Sequence, residues 1–167
     1  MKKFSASLDK TALITTIGLF VVLMSVVAVI WLVPEGHENT GAKVYPTVIM
    51  LGVLAGAYLF SPRAFSIDEK GITVHRFWAD VEIPFGKILS AKKIEKVSNK
   101  GLIRTLGNGG LFGYYGDFHN SEFGSMEWYL KRRRNIILIE TATSKILISP
   151  DDVEDFLKNL PSNITLG

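Results

Sequence analysis

The chain of 167 residues carries 19 basic and 16 acidic side chains, a net charge of +3, and no cysteine. A balance this close to neutral is not a nucleic-acid footprint. The lack of cysteine excludes disulfide frameworks and thiolate metal sites or nucleophiles.

Two uncharged apolar runs come first. Thr11 to Val33 spans 23 residues, and as a helix rising about 1.5 Å per residue it reaches about 35 Å, enough to cross a hydrocarbon layer of about 30 Å. Val44 to Ser61 is shorter, at 18 residues, and is bracketed by Lys43 and Arg63, charges placed where a spanning helix leaves the apolar layer. Neither run has a polar face, so each helix needs apolar surroundings on every side, and a chain this small has little with which to supply them. Lys2 and Lys3 precede the first run as in a signal peptide, but the run exceeds a signal core of about 7 to 15 residues, and no small-x-small cleavage site follows. Residues 1–62 are therefore expected to form a retained membrane anchor with transmembrane helices over about 11–33 and 44–61. Gly52-x-x-x-Gly56, with Gly18 on the other helix, offers close helix packing, either within the pair or to another chain in a homo- or hetero-oligomer.

The basic residues set the expected orientation. Lys2, Lys3 and Lys10 outnumber Asp9 in the N-terminal tail, whereas the connector Pro34 to Lys43 carries Glu35, Glu38 and only one lysine, at its end. This bias predicts a cytoplasmic tail and an outer connector, and two crossings return the chain to the cytoplasm. From Arg63 onward there are 15 basic against 13 acidic residues, a net +2. Those hundred or so residues, 63–167, suffice for one domain with its own core.

Within that domain, strands are expected before a helix. Phe65 and Ile67 alternate with polar neighbours, Asp68-Glu69-Lys70-Gly71 has turn chemistry with a glycine able to take positive φ, and Ile72, Val74 and Phe77 resume the alternation. Val81 to Phe85 and Ile88 to Val97 follow as strands, with Pro84 and Gly86 marking a boundary and a bend. Ile136 to Thr141 and Ile146 to Ile148 form a second hairpin. A closing helix over about 150–160 has Ser149 as cap, Pro150 at its first position and Asp152 completing a capping box. Val153, Phe156, Leu157 and Leu160 make its apolar stripe.

Two anchors, the hairpin around Phe65 to Phe77, the Ile83-Pro84-Phe85 step, the glycine-aromatic segment Gly107 to Phe118 and the Ser149-Pro150-Asp151-Asp152 helix start together resemble the bacterial pleckstrin-homology-like membrane proteins. The resemblance covers about residues 63 to 160. It implies two transmembrane α-helices followed by a mainly β barrel of two orthogonal antiparallel sheets, capped by a C-terminal α-helix, in the bacterial plasma membrane. It implies little about function, because the fold hosts unrelated binding tasks.

The glycine-aromatic segment matches neither G-x-G-x-x-G nor a P-loop. It reads as a kinked strand or long loop whose side chains fill the barrel, or as a surface on which Phe112, Tyr114, Tyr115 and Phe118 grip a partner or the membrane interface. Lys131, Arg132, Arg133 and Arg134 form the sharpest charge feature, either a solvated strand edge or a lipid-headgroup contact beside an anionic leaflet. Trp128 and Tyr129 just before them suit either the headgroup region or the core. His37, His75 and His119 lack metal-ligand spacing, and Asp117, His119 and Ser121 have the residue types of a hydrolase triad without a nucleophile elbow. Asp151, Asp152, Glu154 and Asp155 are better explained by capping than by a cation. No catalytic residue, metal or cofactor is expected. The expected function is a membrane-anchored, non-enzymatic binding or scaffolding module that recognises a protein segment near the cytoplasmic face. Anionic-lipid docking and a structural role in a larger membrane complex are the alternatives.

Overall fold

The computed structural model describes residues 1–32 and 41–166. The core of the expected connector, with Glu35, His37 and Glu38, lies outside the described residues. The apolar runs form α1 (Lys10–Leu32) and α2 (Gly41–Leu59), both long and apolar enough to cross a membrane. Along most of their length the chain leaves them bare: Ile14, Val22 and Val29 on α1 and Val48, Ile49 and Val53 on α2 are all more than half exposed. A helix facing water on these sides would expose a continuous apolar girdle, the condition that lipid removes.

Ahead of α1 the tail is not free. It forms β1 (Lys2–Ser5), which pairs antiparallel with β2 (Ala64–Ile67) and places Lys3 opposite Ser66. The alternation of this strand is minimal: Phe4 alone turns inward, packing 4.8 Å from Phe156 between ring centroids, while Lys2 reaches Asp155 at 2.7 Å. One apolar residue among charges gives little periodic signal, so the strand is invisible until its partners are known.

The first sheet continues through β3 (Gly71–His75) and β4 (Val81–Pro84) in the order β1-β2-β3-β4. The β2–β3 turn is held by the Asp68 carboxylate, which accepts from the Lys70 and Gly71 amides. Gly71 is required there for closeness rather than for positive φ, since a Cβ would lie 2.3 Å from the Ile83 carbonyl oxygen. A 3₁₀ turn over Phe85–Lys87 then redirects the chain into β5 (Ile88–Lys96).

The second sheet holds β5, β6 (Ile103–Gly109), β7 (Tyr114–Asn120), β8 (Gly124–Leu130), β9 (Arg134–Thr141), β10 (Lys145–Ile148) and the short β11 (Thr165–Leu166). Its order is β11-β5-β9-β10-β8-β7-β6. Two expectations are corrected here. Among the described residues no ladder joins the two sheets, so hydrogen bonds do not close a barrel: Pro84 has no amide to donate, and the 3₁₀ turn breaks the path from β4 to β5. Nor is the pairing wholly antiparallel. The expected β9–β10 hairpin forms, with Ile146 opposite Ile139, but β10 inserts between β9 and β8 and so runs parallel to β8.

Four consecutive buried residues in β9, Ile136 to Ile139, reflect burial on both faces of this sheet. Ile137 and Ile139 point into the core shared with the first sheet, where Phe65, Ile72, Ile148 and Phe156 meet. Ile136 and Leu138 point to the other side, with Trp128, Leu130, Phe118, Tyr114 and Ala12 of α1. Trp128 is thus a core residue, stacked on Phe118 at 3.9 Å.

The last helix, α3 (Val153–Lys158), is shorter than expected, and its cap is Asp152, whose carboxylate accepts from the Asp155 amide at 2.8 Å. Ser149 is unavailable as a cap because its buried hydroxyl accepts from the Lys131 amide at 2.7 Å. Val153, Phe156 and Leu160 still close the core. The neighbouring acids are occupied: Asp151 holds Ser7 and Arg132, Glu154 pairs with Lys93, and Asp155 with Lys2.

Candidate functional site: the junction of helix pair and sheet

Asp9 fixes where α1 begins. Its carboxylate accepts from the Ala12 amide at 2.7 Å, capping the helix. The same carboxylate accepts from the Tyr114 hydroxyl at 3.2 Å and the Arg133 amide at 3.3 Å, and the Asp9 amide donates to the Lys131 carbonyl. Burial, then the Asp9 charge, pushes the Tyr114 hydroxyl up to about 12.

Two turns further on, the β6–β7 turn climbs the helix. The Phe112 amide donates to Thr16 Oγ1 at 2.8 Å, and that hydroxyl donates to the Gly110 carbonyl. From the other side the turn meets the end of α2. The Tyr115 hydroxyl donates to the Ala57 carbonyl at 2.5 Å, and Ser61 Oγ and Lys131 Nζ both donate to the Phe112 carbonyl. Lys131 is pushed down to about 8, chiefly by burial and then by the Arg63 charge. The Phe77 and Trp78 amides donate to the Leu59 carbonyl, satisfying an acceptor at the end of α2. Trp78 itself remains 70% exposed.

These contacts locate the residues singled out from sequence. Tyr114, Tyr115 and Phe118 are buried on β7, and Phe112, at φ +58, is partly covered with its ring 5.2 Å from Tyr58. The aromatic segment is a strand pair and its turn rather than a long loop, and its side chains hold the domain to its own helix pair. The basic run is mostly engaged as well. Lys131 is tied to Ser61, Arg132 pairs with Asp151 at 2.6 Å and also donates to the Pro150 carbonyl, and Arg133 lies over the Tyr114 and Trp128 rings. Arg134 is the exposed member. Gly18, Gly52 and Gly56 have open space where a Cβ would stand, so the α1–α2 pair does not require them.

Sequence reasoning missed two constellations. Ser66 Oγ lies 2.9 Å from His75 Nε2, and His75 Nδ1 lies 2.7 Å from Asp80 Oδ2. This is the connectivity of a Ser-His-Asp relay, but Ser66 is 1% exposed, so its hydroxyl has no path to a substrate and the chain of bonds ties the β2–β3 pair to the following turn. His119 by contrast meets Ser125 at 3.3 Å. The second constellation is a cavity of about 770 Å³ between the helix pair and the β6–β7 face. Leu19, Val53, Ala57 and Phe60 form its helix wall, and Leu106, Gly107, Leu111 and Gly116 its sheet wall. Arg76, Arg104, Asn108, Asp117 and Tyr129 supply polar groups. No periodic signal joins positions 19, 53, 76 and 104, so only folding brings them together. Among the described residues no cluster of histidine and carboxylate side chains has metal-ligand grouping.

No curated protein and no solved structure matched the chain. A family model described as "Bacterial PH domain" matches residues 63–164, the span that holds β2 to α3 and stops short of β11. With the larger part of its length covered by that match, the chain belongs to the bacterial PH domain family.

Proposed function

We propose that this protein is a membrane-anchored, non-enzymatic binding module that takes up an extended protein segment running beside the cytoplasmic face of the bilayer. The observation that carries the reading is the free edge of β6. This strand ends the second sheet, no described strand pairs with its outer side, and Ile103 and Leu106 stand 61% and 70% exposed along it. An open edge offers main-chain hydrogen bonds to an added strand, with side-chain positions to discriminate among partners. The other strands that end a sheet are shorter: β1 and β4 have four residues each and β11 has two, against seven in β6.

Two features support placement at the membrane. The β6–β7 turn is hydrogen-bonded to both helices, which holds the edge close to the bilayer surface and raises its effective concentration for partners there. The pairing of β1 with β2 keeps the lysine-bearing tail and the PH domain together, as two crossings require, and the lysine bias of the tail supports the cytoplasmic side for both. The engagement of Lys131, Arg132 and Arg133 within the chain argues against the basic run as the main headgroup contact.

The test is a photoreactive amino acid in place of Ile103 in the full-length protein in its native membrane, with Glu69 on the distant β2–β3 turn as control. A discrete adduct with another protein at position 103 and none at 69 is the expected result. Absence of any adduct at 103 rejects the β6 edge as the binding surface.

A further inference from the structure

The junction cavity lies against β6, sharing Leu106 with its edge, and has a chemistry of its own. Counting about 20 residues of α1 back from Leu32 to cross a layer of about 30 Å places the inner boundary of the hydrocarbon near Leu13. Leu19, six residues further along, then lies about 9 Å inside that boundary. It shares the cavity with Val53, and both side chains are otherwise lipid-facing, 38% and 59% exposed. One end of the cavity is therefore continuous with the acyl region of the bilayer, while the other reaches polar groups on the domain.

Two arginines of the domain, Arg76 and Arg104, line the cavity. Arg76 spends its Nε on the Ala79 carbonyl at 2.6 Å and stacks within 6 Å of the Phe60 and Tyr129 rings. Arg104 makes no side-chain hydrogen bond or ion pair among the described residues. Asp117 also lines the cavity, and Glu127 accepts from the Tyr129 hydroxyl; among the described residues neither acid forms an ion pair with Arg76 or Arg104. Guanidinium groups match phosphate oxygens in geometry and charge, and a cavity of this volume falls in the range of small-molecule sites.

We propose that this cavity binds one membrane phospholipid, its phosphate held by Arg76 and Arg104 and its chains passing along Leu19 and Val53 into the bilayer. Such a ligand joins an acyl region to a phosphate, the two chemistries that the opposite ends of the cavity present, and it reaches the site by lateral diffusion within the leaflet. The inference rests on the membrane-anchored reading but needs no strand added to β6: the cavity shares Leu106 with that edge, whereas Ile103, where strand addition is tested, does not line it.

The experiment takes full-length protein reconstituted in nanodiscs containing phosphatidylglycerol, phosphatidylethanolamine and a phosphate-free glycolipid, moves it into mild detergent, and quantifies retained lipid by native mass spectrometry. The wild type is expected to retain about one phospholipid per chain in preference to the glycolipid, whichever of the two phospholipid headgroups dominates. R76Q/R104Q should reduce retention at least tenfold. V53W, which fills the acyl end, should do the same while keeping the thermal midpoint of the wild type, so that loss of binding is separated from loss of fold. Inorganic phosphate at millimolar concentration should leave the lipid bound; its ready displacement of the lipid would show a free-anion site and overturn the proposal. Equal retention of glycolipid, or retention unchanged in both variants, would also overturn it. Recovery of the chain in the soluble fraction after alkaline extraction of membranes would reject the anchor itself, an outcome distinguishable from an anchored protein that retains no phospholipid.

Discussion

Lys131 shows how a residue's setting can reverse the meaning of its type. In the sequence it opens a run of four cations suited to an anionic surface. In the fold its ammonium is half-buried, donating to Ser61 Oγ at 2.8 Å and the Phe112 carbonyl at 2.9 Å, and burial lowers its pKa from the ordinary 10.5 to about 8. Between these two values the folded chain holds fewer protons at this site than the unfolded chain, so stability rises with pH across that window and falls away as pH drops through about 8. K131M keeps the stem, and Ser61 still donates to the Phe112 carbonyl. At pH 7 the variant should therefore unfold within about 1 kcal/mol of the wild type or slightly above it. Thermal unfolding in detergent between pH 7.5 and 9.5 should show the wild type gaining on K131M as pH rises. Parallel profiles would mean that the ammonium is fully solvated. Asp9 carries a similar lesson: read as one acid diluting a basic tail, it is the cap of α1 and the acceptor for Tyr114.

The β6–β7 hairpin is the element that joins the helix pair to the domain, and its glycines make the hairpin. Gly107 and Gly116 face each other across the two strands at φ +116 and +110, and a Cβ on Gly116 would stand 2.3 Å from the Leu106 carbonyl oxygen. Positive φ alone costs an alanine about 1–3 kcal/mol, and the backbone clash adds to it. G116A should therefore lose more than about 3 kcal/mol of stability, read as a fall in thermal midpoint. A loss below about 1 kcal/mol would show that the two strands part at little cost. The glycine content and kinked strand character of this stretch were legible because glycine departs from ordinary strand composition. Its destination was not legible: that Tyr115 reaches Ala57 and Phe112 reaches Thr16 depends on contacts 58 and 96 positions apart. The short β9–β10 hairpin lay at the opposite extreme, its pairing local and its pattern β-branched.

For the whole molecule, the freedom from cysteine makes topology directly measurable. Single cysteines at Lys3 and Glu69, both exposed, should react with a membrane-impermeant maleimide only after permeabilisation, and one at His37 should react in intact cells. Labelling of positions 3 and 69 from opposite sides would contradict the β1–β2 pairing that joins them. The sequence by itself determined the two apolar helices, the strand-rich domain after Pro62, the hairpins at 64–75 and 134–148 and the family, because hydropathy, turn chemistry and β-branched runs are carried by neighbouring residues. Only the tertiary structure decided that the tail completes a sheet, that β10 runs parallel to β8, and that the aromatic segment and Lys131 face inward toward the helix pair. It alone formed the cavity in which Leu19, Val53, Arg76 and Arg104 meet. Each of these depends on pairing between distant segments, where the free energy lies in burial and hydrogen bonds shared by both partners and is written in neither segment alone.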